Sequence, residues 1–300
     1  MTDDDDALVA AVEGERRHLL ALAYRMLGTL ADAEEAVQET YVRWYRMDPR
    51  DREAVVSPRA WLTRVAGRVC LDVLGSARAR RERYVGEWLP EPLPGAAPLA
   101  GAPAVDPADR VTLDEAVGSA LLVVLERLTP AERVAFVLHD VFGTPFAEIV
   151  EVVGRSSAAT RQLATSARRK VHAHPALDTA PAAHAEVTRA FAAAAAGGDL
   201  GALVALLDPA VELRADGGGH VSAARRPVVG ADRVARFLLG VLAKNPGAVL
   251  EPAASVDGPV LLLRHAGRLL GVVSVGVAAG AVVDVWIVLN PEKLTAWSGV

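Results

Sequence analysis

The sequence predicts a multidomain protein in which two all-α helical domains precede one α+β domain. Apolar residues at helical spacing and helix-capping motifs recur up to about residue 174, a proline-rich stretch interrupts them, and strand-type alternation follows in the last third. The chain has 300 residues, enough for two or three domains of roughly 100–200 residues each. We therefore divide it into residues 1–83, a linker at 84–109, residues 110–174 and residues 180–300.

The charge is distributed unevenly along the chain. The net charge of −5 argues against a uniformly basic nucleic-acid-binding protein, although a whole-chain value does not exclude local patches. Seven arginines lie between residues 59 and 83, and five basic residues without an acid lie between 152 and 177. Two basic clusters are therefore set inside an acidic chain.

Cysteine content and hydropathy indicate a cytoplasmic protein. The single cysteine, Cys70, excludes an internal disulfide and any zinc site that needs two thiolates. The acidic start of the chain has no features of a signal peptide, and no apolar run reaches the ~18 residues of a membrane helix. We expect no cofactor, no metal and no membrane contact.

Residues 1–83 carry the signals of three helices. In the first helix, apolar residues recur at helical spacing before Gly28 interrupts them. Asp32 and Glu35 have the spacing of an N-cap and its N3 carboxylate, which predicts the start of the second helix. Ser57 and Pro58 fit the start of the third, in which Trp61 falls in an apolar stripe, so we favour a core position for it over a base-stacking role.

Residues 84–174 begin with the linker and continue with more helices. The linker contains six prolines, which neither a helix nor a central strand accommodates. Thr129 to Glu132 form a capping box with proline at the first helical position. A short helix follows Thr144-Pro145 and ends at Gly154, and Ser156 or Ser157 caps the next one, which runs to about His172.

The last two of these helices have the pattern of a helix-turn-helix motif. In such motifs the N-terminal part of the second helix enters the major groove, where arginines bind guanine edges or phosphates. The base-reading candidates are Arg155, Ser157, Ala158, Arg161 and Gln162, with Arg168 and Arg169 facing outward nearby. From pattern alone, an amphipathic helical hairpin with a solvated basic face remains an equal alternative.

The arginines of residues 59–83 form a second candidate surface for nucleic acid. Their alternative role is to stabilise a helix C-terminus through the helix dipole. Two basic surfaces joined by a flexible linker favour a bipartite binder that contacts separated DNA elements.

Residues 180–300 predict a small α+β domain. Two helices, at 183–196 and 200–207, precede β-rich runs separated by Gly, Pro and Asp, and one further helix lies at 231–243. Val283, Val285, Ile287 and Leu289 alternate with other residues at strand spacing, and we expect a curved antiparallel sheet.

Several segments resemble extracytoplasmic-function (ECF) sigma factors. Residues 28–40, beginning Gly-Thr-Leu-Ala-Asp-Ala-Glu-Glu, resemble the start of region two, and Pro58 to Leu62 with Cys70-Leu71-Asp72 resemble its promoter-melting helix. Residues 147–169 resemble region four. Trp88-Leu89-Pro90-Glu91-Pro92, Asp216-Gly217-Gly218-Gly219 and Asn290-Pro291-Glu292-Lys293-Leu294 resemble the ECF group with a fused C-terminal SnoaL-like domain, an α+β barrel.

The resemblance implies a role for each region. It implies binding of the RNA polymerase β′ clamp helices by Asp32, Glu35, Gln38 and Glu39. It implies that Arg64, Arg68, Arg78 and Arg80 contact the promoter −10 element, and that the helix-turn-helix residues named above contact the −35 element. It also implies that region four binds the β flap of RNA polymerase.

For the C-terminal domain the resemblance implies regulation. The linker residues Trp88, Leu89, Pro90, Glu91 and Pro92 would pack on this domain, with no separate anti-sigma factor strictly required. The domain side of this contact would comprise Asp216, Gly217, Gly218, Gly219, Asn290, Pro291, Lys293 and Leu294. Two alternatives stay open: a small-molecule sensor, or an isomerase-like or cyclase-like enzyme using Asp216, Asp284, His220 or His265, although a shared fold does not transmit a reaction.

Overall fold

The computed structural model describes residues 12–81, 84–97 and 119–298. The linker residues 98–109 lie outside this range, as do 110–118 at the start of the second predicted domain. The described chain forms two compact units, and each is treated by itself. The first holds residues 12–80 and 125–170, and the second holds 84–97, 119–124 and 171–298.

The first unit begins with four helices. They are α1 (Arg16–Leu27), α2 (Leu30–Tyr45), α3 (Pro49–Glu53) and α4 (Pro58–Arg81). Gly28 ends α1 in the left-handed conformation, with φ of 81°. The predicted N-cap at Asp32 is wrong: Thr29 caps α2 by accepting from the Asp32 backbone N–H, because the helix begins one turn earlier. Trp61 is half-buried against Trp44, with ring centroids 5.1 Å apart, as expected of a core position.

Four more helices and a π-helical turn continue the helical architecture. They are α5 (Ser119–Leu125), α6 (Pro130–Phe136), the π-turn (Val137–Val141), α7 (Phe146–Val153) and α8 (Ser157–His172). The capping box of Thr129 and Glu132 is confirmed. Ser156 caps α8 by accepting from the Ala159 N–H at 3.2 Å.

The buried face of α8 differs from the predicted one. Helical spacing predicts Ala159, Leu163 and Val171 near the core; Val171 is buried, but Ala159 and Leu163 are only half-buried. The buried residues of this face are Thr160, Ala164, Ala167 and Val171. The helix is thus rotated by about one residue relative to the expectation, and small side chains at the contact allow its close packing.

The second unit is built on one six-stranded sheet. Its helices are α9 (Pro181–Ala196), α10 (Leu200–Leu206) and α11 (Ala231–Lys244). Its strands are β1 (Leu207–Asp216), β2 (Val228–Val229), β3 (Val249–Ser255), β4 (Gly258–His265), β5 (Arg268–Ala278) and β6 (Ala281–Val288). The strand order is β2-β1-β6-β5-β4-β3. The expectation of a purely antiparallel sheet is wrong, because β1 and β6 pair in parallel.

Both faces of this sheet are covered. One face packs on α9, α10 and α11, and the other packs on Leu89 of the linker, on Ala120 and Val123 of α5, and on Trp297. The predicted alternation of β6 holds for Val285 and Ile287, but Val283 lies on the opposite face. The register of the β5–β6 pairing shifts between Gly276 and Val277, opposite this part of β6. This irregularity accounts for the change of face.

The two all-α regions and the α+β region that the sequence predicts are therefore observed. None of the helices in the described part of the chain combines the length and apolar character needed to cross a bilayer.

A buried histidine makes the first unit sensitive to acid. His18 is buried, and its ring nitrogens lie 3.3 Å from the Arg59 guanidinium and 3.4 Å from the Thr63 hydroxyl. Burial, with the charge of Arg59, lowers the pKa of His18 from 6.5 to about 4.

We predict that the free energy of unfolding falls as pH drops from 6.5 towards 4, because the unfolded chain then binds a proton that the folded chain excludes. The loss from this group is at most about 3 kcal/mol. Urea denaturation at several pH values should show a shallower dependence in His18→Gln, while His172→Gln, at an exposed position, should keep the original one. An unchanged slope in His18→Gln would contradict this assignment.

Candidate functional site

Helix α2 presents its acidic residues on one side of a shallow groove. Asp32, Glu35, Gln38 and Glu39 line it together with Asp72 of α4. Between them lie the half-buried side chains of Val42 and Val73. Arg43 also lines the groove and pairs with Glu39 at 2.8 Å, so the rim is mainly acidic and suits a helical partner that carries basic residues. Sequence reasoning found the four α2 residues and missed Asp72, which reaches the groove only because α4 packs beside α2.

The arginines of α4 are engaged by a residue from α7. Arg64 bonds to the Glu151 carboxylate at 2.7 Å, and Arg68 donates to the Glu151 backbone carbonyl at 2.7 Å. Gly67 lies between them, and a Cβ there would come within 3.2 Å of Leu138 and Val152. The missing side chain at Gly67 is what lets the two helices approach closely enough for these bonds. Arg78 and Arg80 lie in α4, and the structure describes only their backbone.

The helix-turn-helix motif consists of α7, a turn through Gly154, Arg155 and Ser156, and α8. Gly154 ends α7 at φ 66°, a conformation that favours glycine. The exposed residues at the start of α8 are Arg155, Ser157, Ala158, Arg161 and Gln162. Arg161 bonds to the Ser157 hydroxyl at 2.7 Å and lies over the Phe146 ring at 5.5 Å. These contacts hold its guanidinium at the exposed face of the motif.

Farther along α8, charged side chains hold the motif together. Arg169 is exposed, but Arg168 is half-buried and pairs with Asp140, so the expectation that it faces outward is wrong. Glu132 accepts from Lys170 at 2.7 Å and from the Ser166 hydroxyl at 2.7 Å. Burial raises the pKa of Glu132, but the bonds from Lys170, Thr129 and Ser166 outweigh it and lower the pKa to about 2.

The linker segment 84–97 is bound to the C-terminal α+β domain through hydrogen bonds to a buried ion pair of that domain. Asp216 has no exposed surface, and its Oδ2 lies 2.7 Å from Nζ of Lys293, which is 6% exposed. The same carboxylate accepts from the Leu89 backbone N–H at 3.0 Å and from the Tyr84 hydroxyl at 2.6 Å. Lys293 also donates to the Leu89 carbonyl. We call this set of contacts the linker clamp.

Aromatic and amide side chains complete the linker clamp. The Lys293 ammonium lies 4.1 Å from the centre of the Trp88 ring, a cation–π contact. Asn290 donates to the Tyr84 hydroxyl at 2.9 Å, and burial together with the bond to Asp216 raises the pKa of Tyr84. The Trp297 indole N–H donates to the Pro92 carbonyl at 2.7 Å.

The glycines after Asp216 are required by close packing. A Cβ at Gly218, where φ is 61°, would lie 2.4 Å from Asn290 Cγ, and one at Gly217 would lie 2.2 Å from the Val221 carbonyl oxygen. Gly219, also at positive φ, lies against Val85 of the linker. A side chain at any of these positions would displace the clamp.

Of the predicted clamp residues, most lie where the resemblance places them. Leu89, Pro90, Glu91, Asn290 and Leu294 are buried, while Pro92 and Pro291 are more exposed. Sequence reasoning missed Tyr84 and Trp297. Tyr84 stands where helix and linker meet, and Trp297 is one of only five tryptophans; neither position has a local pattern that marks it.

The four acid–base candidates of the C-terminal domain are scattered. Asp216 belongs to the linker clamp, and Asp284 lies 3.4 Å from the His174 ring. His220 lies on the surface, 3.4 Å from Glu292. None of the four, His265 included, lines the cavity of about 790 Å³ in this domain. Among the residues the structure describes, no three His, Cys, Asp or Glu side chains cluster as metal ligands would.

Comparison with known proteins decides the family. Sigma-70 region 2 matches residues 11–81, and sigma-70 region 4 matches residues 119–171. The ECF RNA polymerase sigma factor SigJ of Mycobacterium tuberculosis (strain ATCC 25618 / H37Rv) is 44% identical over 96% of this chain and 93% of its own length. The chain belongs to the ECF RNA polymerase sigma factors.

The likeness extends over nearly the whole sigma factor. The probable ECF RNA polymerase sigma factor SigI of M. tuberculosis is 39% identical over 96% of this chain and 95% of its own length. The crystal structure of the M. tuberculosis extracytoplasmic function sigma factor SigJ superposes with a TM-score of 0.72 at 39% identity, covering 96% of this chain and 98% of that one. This sigma factor therefore directs transcription initiation through RNA polymerase and promoter DNA, and the family predicted from the sequence is confirmed.

We predict that Asp216→Asn strongly destabilises the C-terminal domain of the sigma factor, because it leaves the Lys293 ammonium buried without its counter-charge. Breaking a buried pair in this way costs about 3–5 kcal/mol. Urea denaturation measures the loss, and Asp232→Asn, which breaks an exposed pair with Arg236, should change stability far less.

The double variant Asp216→Asn with Lys293→Met separates the charge pair from simple packing. It should recover part of the loss, because no unpaired charge remains buried. Equal losses in Asp216→Asn and Asp232→Asn would contradict the assignment.

Proposed function

We propose that this sigma factor binds the β′ clamp helices of RNA polymerase through α2, and reads promoters through α4 and the helix-turn-helix motif. We further propose that its C-terminal domain sets its activity by binding the linker. In this proposal the protein acts in the cytoplasm, no separate anti-sigma factor is strictly required, and the domains follow residues 1–83, 110–174 and 180–300. The observation that carries the regulatory part is the linker clamp.

The groove beside α2 supports the polymerase contact. Asp32, Glu35, Gln38 and Glu39 are at least partly exposed there, and Asp72 adds a fifth polar group. Because the carboxylates surround apolar side chains, the groove offers both charge attraction and burial of apolar surface to a basic helical partner. By the same family resemblance, region four contacts the β flap.

Two surfaces support the DNA contacts. The exposed start of α8 presents Arg155, Ser157, Ala158, Arg161 and Gln162 for the −35 element, with Arg169 on the same helix. Arg168 stays a −35 candidate on the condition that its guanidinium leaves Asp140 and binds DNA instead. Arg64 and Arg68 of α4, with Arg78 and Arg80, are assigned to the −10 element, and the first two must release Glu151 before they bind DNA.

The linker clamp supports regulation by the C-terminal domain. It joins Tyr84, Trp88, Leu89 and Pro92 to residues that lie at least 127 positions further along the chain. Because these contacts surround a buried charge pair, partial release would leave the pair with some of its bonds unmade. We therefore expect the segment to be either fully bound or fully released. Since the linker connects regions two and four, holding it constrains the spacing at which the two regions reach DNA.

The cavity of the C-terminal domain supports a non-catalytic role for it. The carboxylates and histidines suited to proton transfer lie elsewhere, in the clamp, in the Asp284–His174 pair or at the surface. The described residues that line the cavity include no Asp, Glu or His. Carboxylates and histidines are the usual proton-transfer groups of isomerases and cyclases, and the lysine of the lining, Lys244, is exposed.

We predict that Arg161→Ala weakens binding of the holoenzyme to −35 DNA by about 1–3 kcal/mol and relaxes preference at one position, if the guanidinium binds a base edge. The measurement is quantitative binding to a set of promoters that differ at single −35 positions. Arg236→Ala, in the C-terminal domain, is the control and should bind as the original protein does. Uniform weakening at every sequence would assign Arg161 to phosphate instead.

Release of the linker should change transcription without removing promoter recognition. The double variant Tyr84→Phe with Trp297→Phe removes the bonds of Tyr84 with Asp216 and Asn290 and the bond of Trp297 to Pro92, while an aromatic ring stays at each position. Three hydrogen bonds contribute about 1.5–4.5 kcal/mol, so we expect roughly a ten-fold or larger change in run-off transcript yield with reconstituted holoenzyme.

Deletion of residues after 180 should change the yield in the same direction, with the same promoters selected from a random library. Unaltered yield in both proteins would show that the C-terminal domain has no regulatory role.

A further inference from the structure

The C-terminal domain contains a cavity of about 790 Å³ lined by the sheet, by α9 and α11, and by the segment 291–298 that follows β6. Apolar side chains from α9, α11 and the sheet line it, among them Phe191, Phe237, Val273 and Ile287. This volume lies in the range of sites that enclose a small organic molecule, which extends from about 300 to 1,000 Å³. The wall is continuous with the main apolar core of the domain.

The charges around the cavity all have one sign. Arg264, Arg268 and Lys244 line it, while none of its described lining residues is acidic. Arg268 and Lys244 are exposed, so their charged groups lie where the cavity opens to solvent. Arg264 is more buried, and pairs with Glu251 at 3.2 Å. Asn245 and Ser222 add neutral hydrogen-bonding groups to the lining.

We propose that this cavity binds an apolar, ring-containing small molecule that carries one anionic group such as a carboxylate. The rings would occupy the space between Phe191, Phe237 and the sheet, where their burial from water drives binding. The anionic group would lie between Arg268, Arg264 and Lys244, because a carboxylate matches the planar guanidinium. A cationic ligand binds more weakly there, because the lining residues Arg268 and Lys244 repel it.

The cavity shares a wall with the linker clamp. Trp297 lines the cavity, and its indole N–H holds the Pro92 carbonyl of the linker. Leu294 and Pro291 line it as well, on either side of Lys293 in the chain. A bound molecule therefore touches the segment that holds the linker, and we infer that occupancy changes how firmly the linker is bound. This coupling rests on the proposed regulatory function, whereas the binding itself does not.

Three probes of equal shape and different charge test the binding: 2-naphthoate, its neutral amide 2-naphthamide, and the 2-naphthylmethylammonium cation. Isothermal calorimetry with the full chain should show binding of 2-naphthoate roughly five-fold or more tighter than the amide, as expected for one charge contact near the surface. The cation should bind most weakly. Equal affinity for the anion and the amide would overturn the assigned ligand class.

Matched variants locate the site. Arg268→Gln should reduce the affinity for 2-naphthoate to about that of the amide, while Arg236→Gln, on the exposed side of α11, should leave it unchanged. Ala224→Trp, which fills the cavity from the loop before β2, should abolish binding while circular dichroism shows an intact fold. Undiminished binding in Ala224→Trp would overturn the location.

Hydrogen exchange tests the coupling to the linker. The Leu89 amide, which donates to Asp216, should change its protection several-fold when 2-naphthoate is added, and Ala224→Trp should remove that response. Binding without any change in residues 84–97 would overturn the coupling and leave the site standing. A changed linker with unaltered transcription in the Tyr84→Phe and Trp297→Phe double variant would instead overturn the proposed function and leave the coupling standing.

Discussion

A carboxyl group removed completely from water carries a desolvation cost that only hydrogen bonds and a counter-charge offset. Asp216 meets this condition with four donors: the Tyr84 hydroxyl, the backbone N–H groups of Leu89 and Gly218, and the Lys293 ammonium. Two of the four come from the linker. The clamp thus ties the state of the linker to the stability of the domain, since the linker cannot leave without exposing the pair to water or leaving its bonds unmade.

The same requirement explains the residues around the pair. The Lys293 ammonium needs a hydrogen-bond acceptor, which is the Leu89 carbonyl. It also needs aromatic faces for its charge, which Trp88 and Tyr84 supply. Gly218 lets the loop after β1 pass close to Asn290, and Asn290 in turn holds Tyr84. Each sequence motif of the linker and the domain is therefore one side of a single packed cluster.

Local signals in the sequence predicted the helices and strands, but they did not predict which residues these elements contact. Capping residues such as Thr129 and Ser57 marked helix starts correctly. The N-cap of α2 was placed at Asp32 although the actual cap, Thr29, lies only three residues away, whereas the rotation of α8 and the parallel pairing of β1 with β6 were missed because they depend on residues far away in the chain. The same holds for the site: Glu151 and Asp72 have no local pattern, and only tertiary packing places them beside the predicted residues.

The contact of Arg64 and Arg68 with Glu151 has a consequence for ionic strength. An arginine that already holds a protein oxygen exchanges one partner for another when it takes a phosphate. Added salt weakens the internal pair as well as the contact with DNA, so the two effects oppose each other. With Arg64 and Arg68 in the −10 contact proposed above, promoter binding by this sigma factor should therefore respond less steeply to salt than a count of those arginines suggests.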